Sequence, residues 1–251
     1  MFRPKREYDL ILSCGQACNC SSALRSCGLQ NCSYPFDWQF KADFATKVEI
    51  LKNRFERYFE LKDLEFVKID SLNDKNMVVK NNYTNIFFNH DFFVDKGSIE
   101  TQYPTVREKY NRRINRVLEF LDKNVTKKVL LVYYERPVSD ESDEKEKYSV
   151  QDFNSMIYEL EKIYPHTIFN ILYVKSSDKM FPNKIKLENS RNKKIMLAIT
   201  YNRYKVNLDG YKNHYKYLIK VLTIYNIRYK YGTNTHLLVN KLKFLFSIYF
   251  I

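Results

Sequence analysis

Short, uniformly apolar runs alternate with longer amphipathic stretches along this chain. Residues 8–13 (YDLILS) form an apolar run closed by Cys14-Gly15, which predicts a buried strand meeting a tight turn. Residues 21–25 then read as helical, with Gly28 as the stop. Residues 16–20 therefore fall at a helix N-terminus, where backbone N–H groups favour negative charge. Pro35-Phe36-Asp37-Trp38 reads as a loop. An amphipathic helix is expected over 44–61, and short strands over 66–69 and 77–79. A strand over 85–88 delivers Asn89-His90-Asp91 at its carboxyl end.

Pro104 opens the clearest helix, with Val106, Tyr110, Ile114, Val117 and Leu121 on one stripe. Residues 129–134 (VLLVYY) are continuously apolar, as expected of a strand buried on both faces. A charged loop over 139–147, a helix over 150–164 and a strand over 168–174 follow, then a polar connection over 184–194 and a strand over 195–199. Strands alternating with helices, several uniformly apolar, predict an α/β fold: a single three-layer domain with a largely parallel sheet, Cys18 at its strand-turn-helix junction. That domain is assigned to residues 1–236. Residues 237–251 (LLVNKLKFLFSIYFI) are a distinct apolar and basic segment, suited to completing the core or to lying at a membrane interface.

At 251 residues the chain is long enough to bury a core without disulfide or metal staples. Its 45% hydrophobic content excludes a disordered or collagen-like chain. No uncharged apolar run reaches the length of an ordinary membrane span, and the basic N-terminus lacks the features of a secretory signal. A cytoplasmic location is expected, with the inner membrane face as an alternative through residues 237–251. The net charge of +13 is unevenly placed, since residues 183–251 hold 11 Lys and 3 Arg against Glu188 and Asp209. Such a region suits an anionic partner such as phosphate, nucleic acid or an acidic membrane surface, and equally suits a solvated basic face.

All five cysteines, Cys14, Cys18, Cys20, Cys27 and Cys32, fall within one short stretch. Their spacing lacks the repeated pairs of a zinc or iron–sulfur site and no histidine lies among them, so no metal and no cofactor are expected. A thiol at a strand-turn-helix junction has its thiolate stabilised by the helix N-terminus. Cys18 sits best for that, while burial at the strand end would raise the pKa of Cys14. All five can equally be small buried hydrophobes. A thiol nucleophile needs a base. Of four histidines, His90 alone follows a strongly apolar strand, and at the carboxyl end of a sheet strand it would share an edge with Cys18. Neighbours on a strand point to opposite faces, so Asp91 need not orient His90.

These segments resemble a family. YDLILSCGQACNCSSALRSCGLQNCSYPFDWQF, FFNHDFF, KYNRRINRVLEFL and VLLVYYER together are similar to a bacterial family of unknown function described as papain-like cysteine peptidases. The matching positions are Ser13, Gly15 and Cys18, Leu24 and Arg25, and Pro35 to Trp38. Further on they are His90 and Asp91, then Tyr110, Arg112 and Arg113, and finally Arg136. The resemblance covers residues 8–136 well and the remainder in element order only. Cys14 departs from the usual apolar residue, the strand ends Tyr-Glu-Arg, and no tryptophan motif is found near the C-terminus.

The resemblance implies a thiol enzyme with Cys18 as nucleophile and His90 as base, and singles out Asp37, Trp38, Asp91 and Arg136 as pocket residues. Gly15 and Gln16, at the turn, join the substrate-binding candidates. The expected function is a cysteine peptidase or thiol hydrolase through Cys18 and His90, with Asp37 or Asp91 as the orienting carboxylate, acting on a small-molecule, glycan or peptide substrate. The alternative is a transferase of cell-surface polysaccharide biosynthesis, with Arg112, Arg113 and Arg136 on the phosphate of an activated donor. A third class, single-stranded nucleic-acid binding by the Tyr- and Lys-rich region from Tyr201 to Tyr217, is disfavoured because no recognised motif supports it.

Overall fold

The computed structural model describes residues 4–41, 43–70, 73–135, 148–177, 179–181, 184–201 and 208–232, with residues 208–214 as backbone only. Arg136, the charged stretch 139–147, Tyr204, His236 and the segment 237–251 lie outside the described residues.

The strands are β1 (Arg6–Tyr8), β2 (Leu10–Ser13), β3 (Gln39–Phe40), β4 (Leu64–Asp70), β5 (Asn73–Asn81), β6 (Phe87–Phe93), β7 (Lys127–Tyr134), β8 (Thr167–Ser177), β9 (Ile185–Glu188), β10 (Ile195–Tyr201) and β11 (Ile227–Tyr229). The helices are α1 (Asn19–Ser26), α2 (Phe44–Lys52), α3 (Ile99–Leu121), α4 (Val150–Ile163) and α5 (Leu208–Ile224). Five strands form a sheet in the order β2-β7-β8-β10-β9. The first four run parallel and β9 is antiparallel to β10.

The apolar runs follow from where this sheet sits. Val129, Leu131 and Tyr133 of β7 enter one apolar cluster with Phe44, Val48 and Leu51 of α2, Tyr110 and Val117 of α3, and Phe153 and Leu160 of α4. The alternate residues Leu130, Val132 and Tyr134 enter a second cluster with Ala23 and Leu24 of α1 and Leu218 and Val221 of α5. Helices thus cover both faces, and a strand with no wet side has no polar alternation. Each fully buried side chain of this size contributes about 1.5–3 kcal/mol relative to exposure.

The fold is α/β, but the largely parallel sheet accounts for only part of it. The strands expected over 66–69, 77–79 and 85–88 do not join the parallel sheet. With β3 they make a separate four-stranded antiparallel sheet in the order β3-β6-β5-β4, and β1 pairs with β11 in a further two-stranded ribbon. Apolar runs specify strands without specifying their partners, which are set by the connections; β4 leads into β5 across a short link that favours antiparallel pairing.

Two helices also differ from expectation. α2 ends at Lys52 because the chain turns back, with the Phe55 N–H donating to the Ile50 carbonyl at 2.8 Å and Arg54, Phe55 and Arg57 at positive φ. This reversal places Tyr58 and Phe59 in the core, where the Phe59 ring lies 4.2 Å from that of Tyr110 and 4.9 Å from that of Phe88. α3 starts ahead of Pro104, at Ile99, after Ser98, whose side chain caps the Thr101 N–H. Pro104 lies in the second turn of the helix, where it removes the N–H that would reach the Glu100 carbonyl. The expected stripe from Val106 to Leu121 is buried.

Candidate functional site

The turn after β2 is built by extending the ladder with β7. The Cys14 N–H donates to the Val132 carbonyl at 2.7 Å and the Gln16 N–H to the Tyr134 carbonyl at 3.1 Å. From the other side, the Lys41 N–H donates to the Gln16 carbonyl at 3.0 Å. A third donor arrives from α2: Lys47, fully buried, gives an N–H from Nζ to the Gly15 carbonyl at 2.7 Å. Gly15 is required here by space, because a Cβ would stand 2.5 Å from Cys20 Cβ and 3.1 Å from the Tyr134 carbonyl oxygen.

Cys18 is the residue immediately before α1, half-buried, and its carbonyl accepts the Ser22 N–H at 3.0 Å. Gln16 is half-buried on the same turn. No disulfide joins the five cysteines. Burial pushes the thiols of Cys14, Cys20 and Cys27 up, to about 12, about 11 and about 12. At neutral pH those three are packed, protonated thiols.

Asp37 is wholly buried and clamps its loop onto α1. Its carboxylate accepts from the Tyr34 N–H at 2.9 Å and from Ser21 Oγ at 3.2 Å, and the Ser21 hydroxyl lies 3.0 Å from that of Ser13. Gln30 Nε2 reaches it at 3.5 Å and Arg25 faces it at 3.6 Å. Burial raises the Asp37 pKa against the pull of these donors. Trp38 adopts a left-handed conformation, φ 69°, and its ring lies 5.2 Å beneath the Arg25 guanidinium.

β3 ties this loop to β6, Phe40 opposite Phe87 and Gln39 opposite Phe88. Beyond that pairing β6 bulges. Val79 lies opposite Phe88 and Met77 opposite Phe92, so Asn89, His90 and Asp91 span the space of Val78 alone. Bulges re-aim side chains. His90 was expected at the carboxyl end of a strand sharing a sheet edge with Cys18; it lies instead in the middle of β6, in a different sheet from β2, where it is exposed and Asp91 buried. The Asp91 carboxylate accepts from Tyr110 Oη at 2.8 Å and from Lys109 Nζ, both on α3. Asp91 thus holds β6 to α3.

The three arginine candidates separate. Arg112 is exposed and paired with Glu108 one turn away. Arg113 lies 5.2 Å over the Tyr110 ring, acts electrostatically on Asp37 and Tyr58, and keeps a buried Nη1 without a hydrogen-bond partner. Arg136 is outside the described residues.

Lys47 escaped the sequence reading although a signal for it exists. Phe44, Lys47, Val48 and Leu51 share the buried stripe of α2, so a lysine stands where an apolar residue is expected. Ser21 and Gln30, which serve Asp37, leave no comparable mark. Among the described residues no three His, Cys, Asp or Glu side chains are grouped to hold a metal ion, and no helix is long and apolar enough to cross a membrane.

Comparison with known proteins adds two findings. The chain is 32% identical over 123 residues to an uncharacterised protein, R408, of Acanthamoeba polyphaga mimivirus, an alignment covering 43% of this chain and 54% of that protein. The chain therefore spans about half the length of that curated relative, and the relative is viral where a bacterial kinship was expected. No solved structure matches. The model of the family described as "Putative papain-like cysteine peptidase (DUF1796)" matches residues 9–176, a span that includes the Gly15 turn, Cys18, Asp37 and the β6 bulge, and the chain belongs to that family.

Proposed function

We propose that the protein is a cysteine-dependent hydrolase of the peptidase kind, with Cys18 as nucleophile and His90 as general base. The observation that carries this reading is the setting of Cys18, half-buried at the start of α1 on a turn pinned from three elements, while Cys14, Cys20 and Cys27 are buried. A helix N-terminus stabilises the thiolate and offers N–H groups to an oxyanion. His90 takes the thiol proton as Cys18 Sγ attacks the substrate carbonyl, then gives it to the departing amine. Water, deprotonated by His90, cleaves the resulting thioester, releasing the acid and restoring the thiol. Asp91, engaged by α3, supports His90 by fixing the bulge.

The test is the pH dependence of Cys18 alkylation, followed by mass spectrometry in the wild type and in His90→Ala. An apparent pKa well below the ~8.5 of a free thiol, raised by the substitution, is expected. An ordinary value unmoved by His90→Ala rejects the pair.

A second reading, a transferase of surface-polysaccharide assembly, draws on the unpartnered Nη1 of Arg113 as an anchor for a phosphate-bearing donor. It requires a melting-temperature rise with nucleotide sugars that Arg113→Met abolishes.

A further inference from the structure

We propose that Lys47 is a positioning residue of the thiol site, its ammonium clamping the Gly15 carbonyl and so holding the turn that presents Cys18. The inference rests on the reading of Cys18 as the reactive thiol. Lys47 is 0% exposed, and among the described residues no carboxylate lies within ion-pair distance of it. Its Nζ has the Gly15 carbonyl at 2.7 Å and the Phe36 ring centroid at 5.7 Å. Asp37, Asp43, Cys14 and Cys20 act on it only at longer range, and burial lowers its pKa.

An ammonium buried without a paired carboxylate is costly, and an apolar side chain would fill this stripe position at no such cost. The Gly15 carbonyl is what the lysine serves. Gly15 and Gln16 immediately precede Ala17 and Cys18, and each of their anchors comes from a different element. β7 receives the Gln16 N–H, Lys41 at the end of β3 caps the Gln16 carbonyl, and α2 supplies Lys47. Freed from Lys47, the Gly15 peptide can rotate, and the start of α1 moves with it. Small displacements of a reacting group suffice to cost much of its rate.

The experiment compares the full chain with Lys47→Met and Lys47→Gln by thermal melting, Cys18 alkylation against pH, and hydrogen exchange at residues 16–19. K47M is expected to melt at or above the wild-type temperature, since an apolar isostere relieves a buried charge. Its Cys18 should be alkylated more slowly by on the order of tenfold, with the pH profile moved upward and the turn amides exchanging faster. K47Q, whose amide stops short of the Gly15 carbonyl, should match K47M in alkylation and exchange and melt lower, because it buries an unpaired amide. Wild-type alkylation and wild-type exchange in either folded variant overturn the proposal. If neither variant folds, exchange in the wild type decides: protection of the turn amides like that of β2 supports the clamp, and loop-like exchange overturns it. An ordinary wild-type Cys18 thiol would sink the hydrolase reading alone, because the exchange data still score the clamp.

Discussion

Tyr110 donates its hydroxyl proton to Asp91 across 2.8 Å, joining the middle of α3 to the bulge of β6. The second carboxylate oxygen takes Lys109, so both Asp91 oxygens are committed to α3. His90 stands next to this anchor on the exposed side of the strand. The pair therefore bears on His90 through the backbone.

Loss of that anchor should separate stability from chemistry. Tyr110→Phe removes a buried hydrogen bond to a charged acceptor and should cost about 1.5–3 kcal/mol in denaturant unfolding. Because the carboxylate does not donate to or accept from the imidazole in this reading, the apparent pKa of Cys18 alkylation should stay where it is in Tyr110→Phe. A pKa shift as large as that of His90→Ala would place Asp91 in the proton path instead.

Gly15→Ala tests how closely the turn is packed. The new methyl would meet Cys20 Cβ at 2.5 Å, and neither it nor the Tyr134 carbonyl is the end of a flexible chain. Overpacking of this kind costs about 1–3 kcal/mol. The variant should melt lower and lose Cys18 reactivity together. Gly15→Ala paired with Cys20→Gly removes the Cβ at 2.5 Å and should cost less than Gly15→Ala does in the wild type; an undiminished cost would locate the strain at the β7 carbonyl.

The buried thiols give an alkaline signature. Their folded pKa values, about 11 to 12, stand above the ordinary 9.0, so ionisation is easier in the unfolded chain. Their contribution is complete below pH 9 and is lost as pH rises toward 11–12. Each thiol should remove up to about 1.4 kcal/mol per pH unit in that interval. Melting curves at pH 8 and 10, in the wild type and in Cys14→Ala, measure one share: the variant is less stable at pH 8, and its deficit narrows at pH 10. A constant deficit would mean that Cys14 is accessible to hydroxide.

Much of this architecture is legible in the residues, and the parts that are not share a cause. β7 and β8 announce themselves because both faces are covered and their central runs, residues 129–134 and 171–174, are continuously apolar. β9 hides in the polar 184–194 connection, since an edge strand reading Ile-Lys-Leu-Glu needs no deep burial. Local pattern marked β4, β5 and the start of β6 but not β3, and it carries no information on who pairs with whom, so one largely parallel sheet was expected where three sheets form. At the site, Cys18 and the α1 start follow from Gly15 and the helix pattern. The roles of Asp37 and Lys47 depend on partners distant in sequence, Ser21, Arg25 and Gly15, that only the folded chain brings together.

Asp37 offers the sharpest test of how the site region is held. Its carboxyl is buried, and desolvation outweighs the combined pull of the Tyr34 N–H, Arg25 and Ser21, so its pKa is raised above the ordinary 3.8. A raised carboxyl pKa means that the folded state prefers the neutral form. The associated stability is complete below the unfolded value and is lost as pH rises through the folded one. Asp37→Asn keeps an acceptor but cannot titrate, and it presents an NH2 group to a site furnished with donors, costing about 1–3 kcal/mol. The gap between wild type and Asp37→Asn should therefore be widest near pH 4 and narrower at pH 7, read from urea midpoints at the two values. A gap that widens toward pH 7 would show that Arg25 and the backbone donors favour the ionised carboxylate, which would then act as the charge holding Arg25 over Trp38.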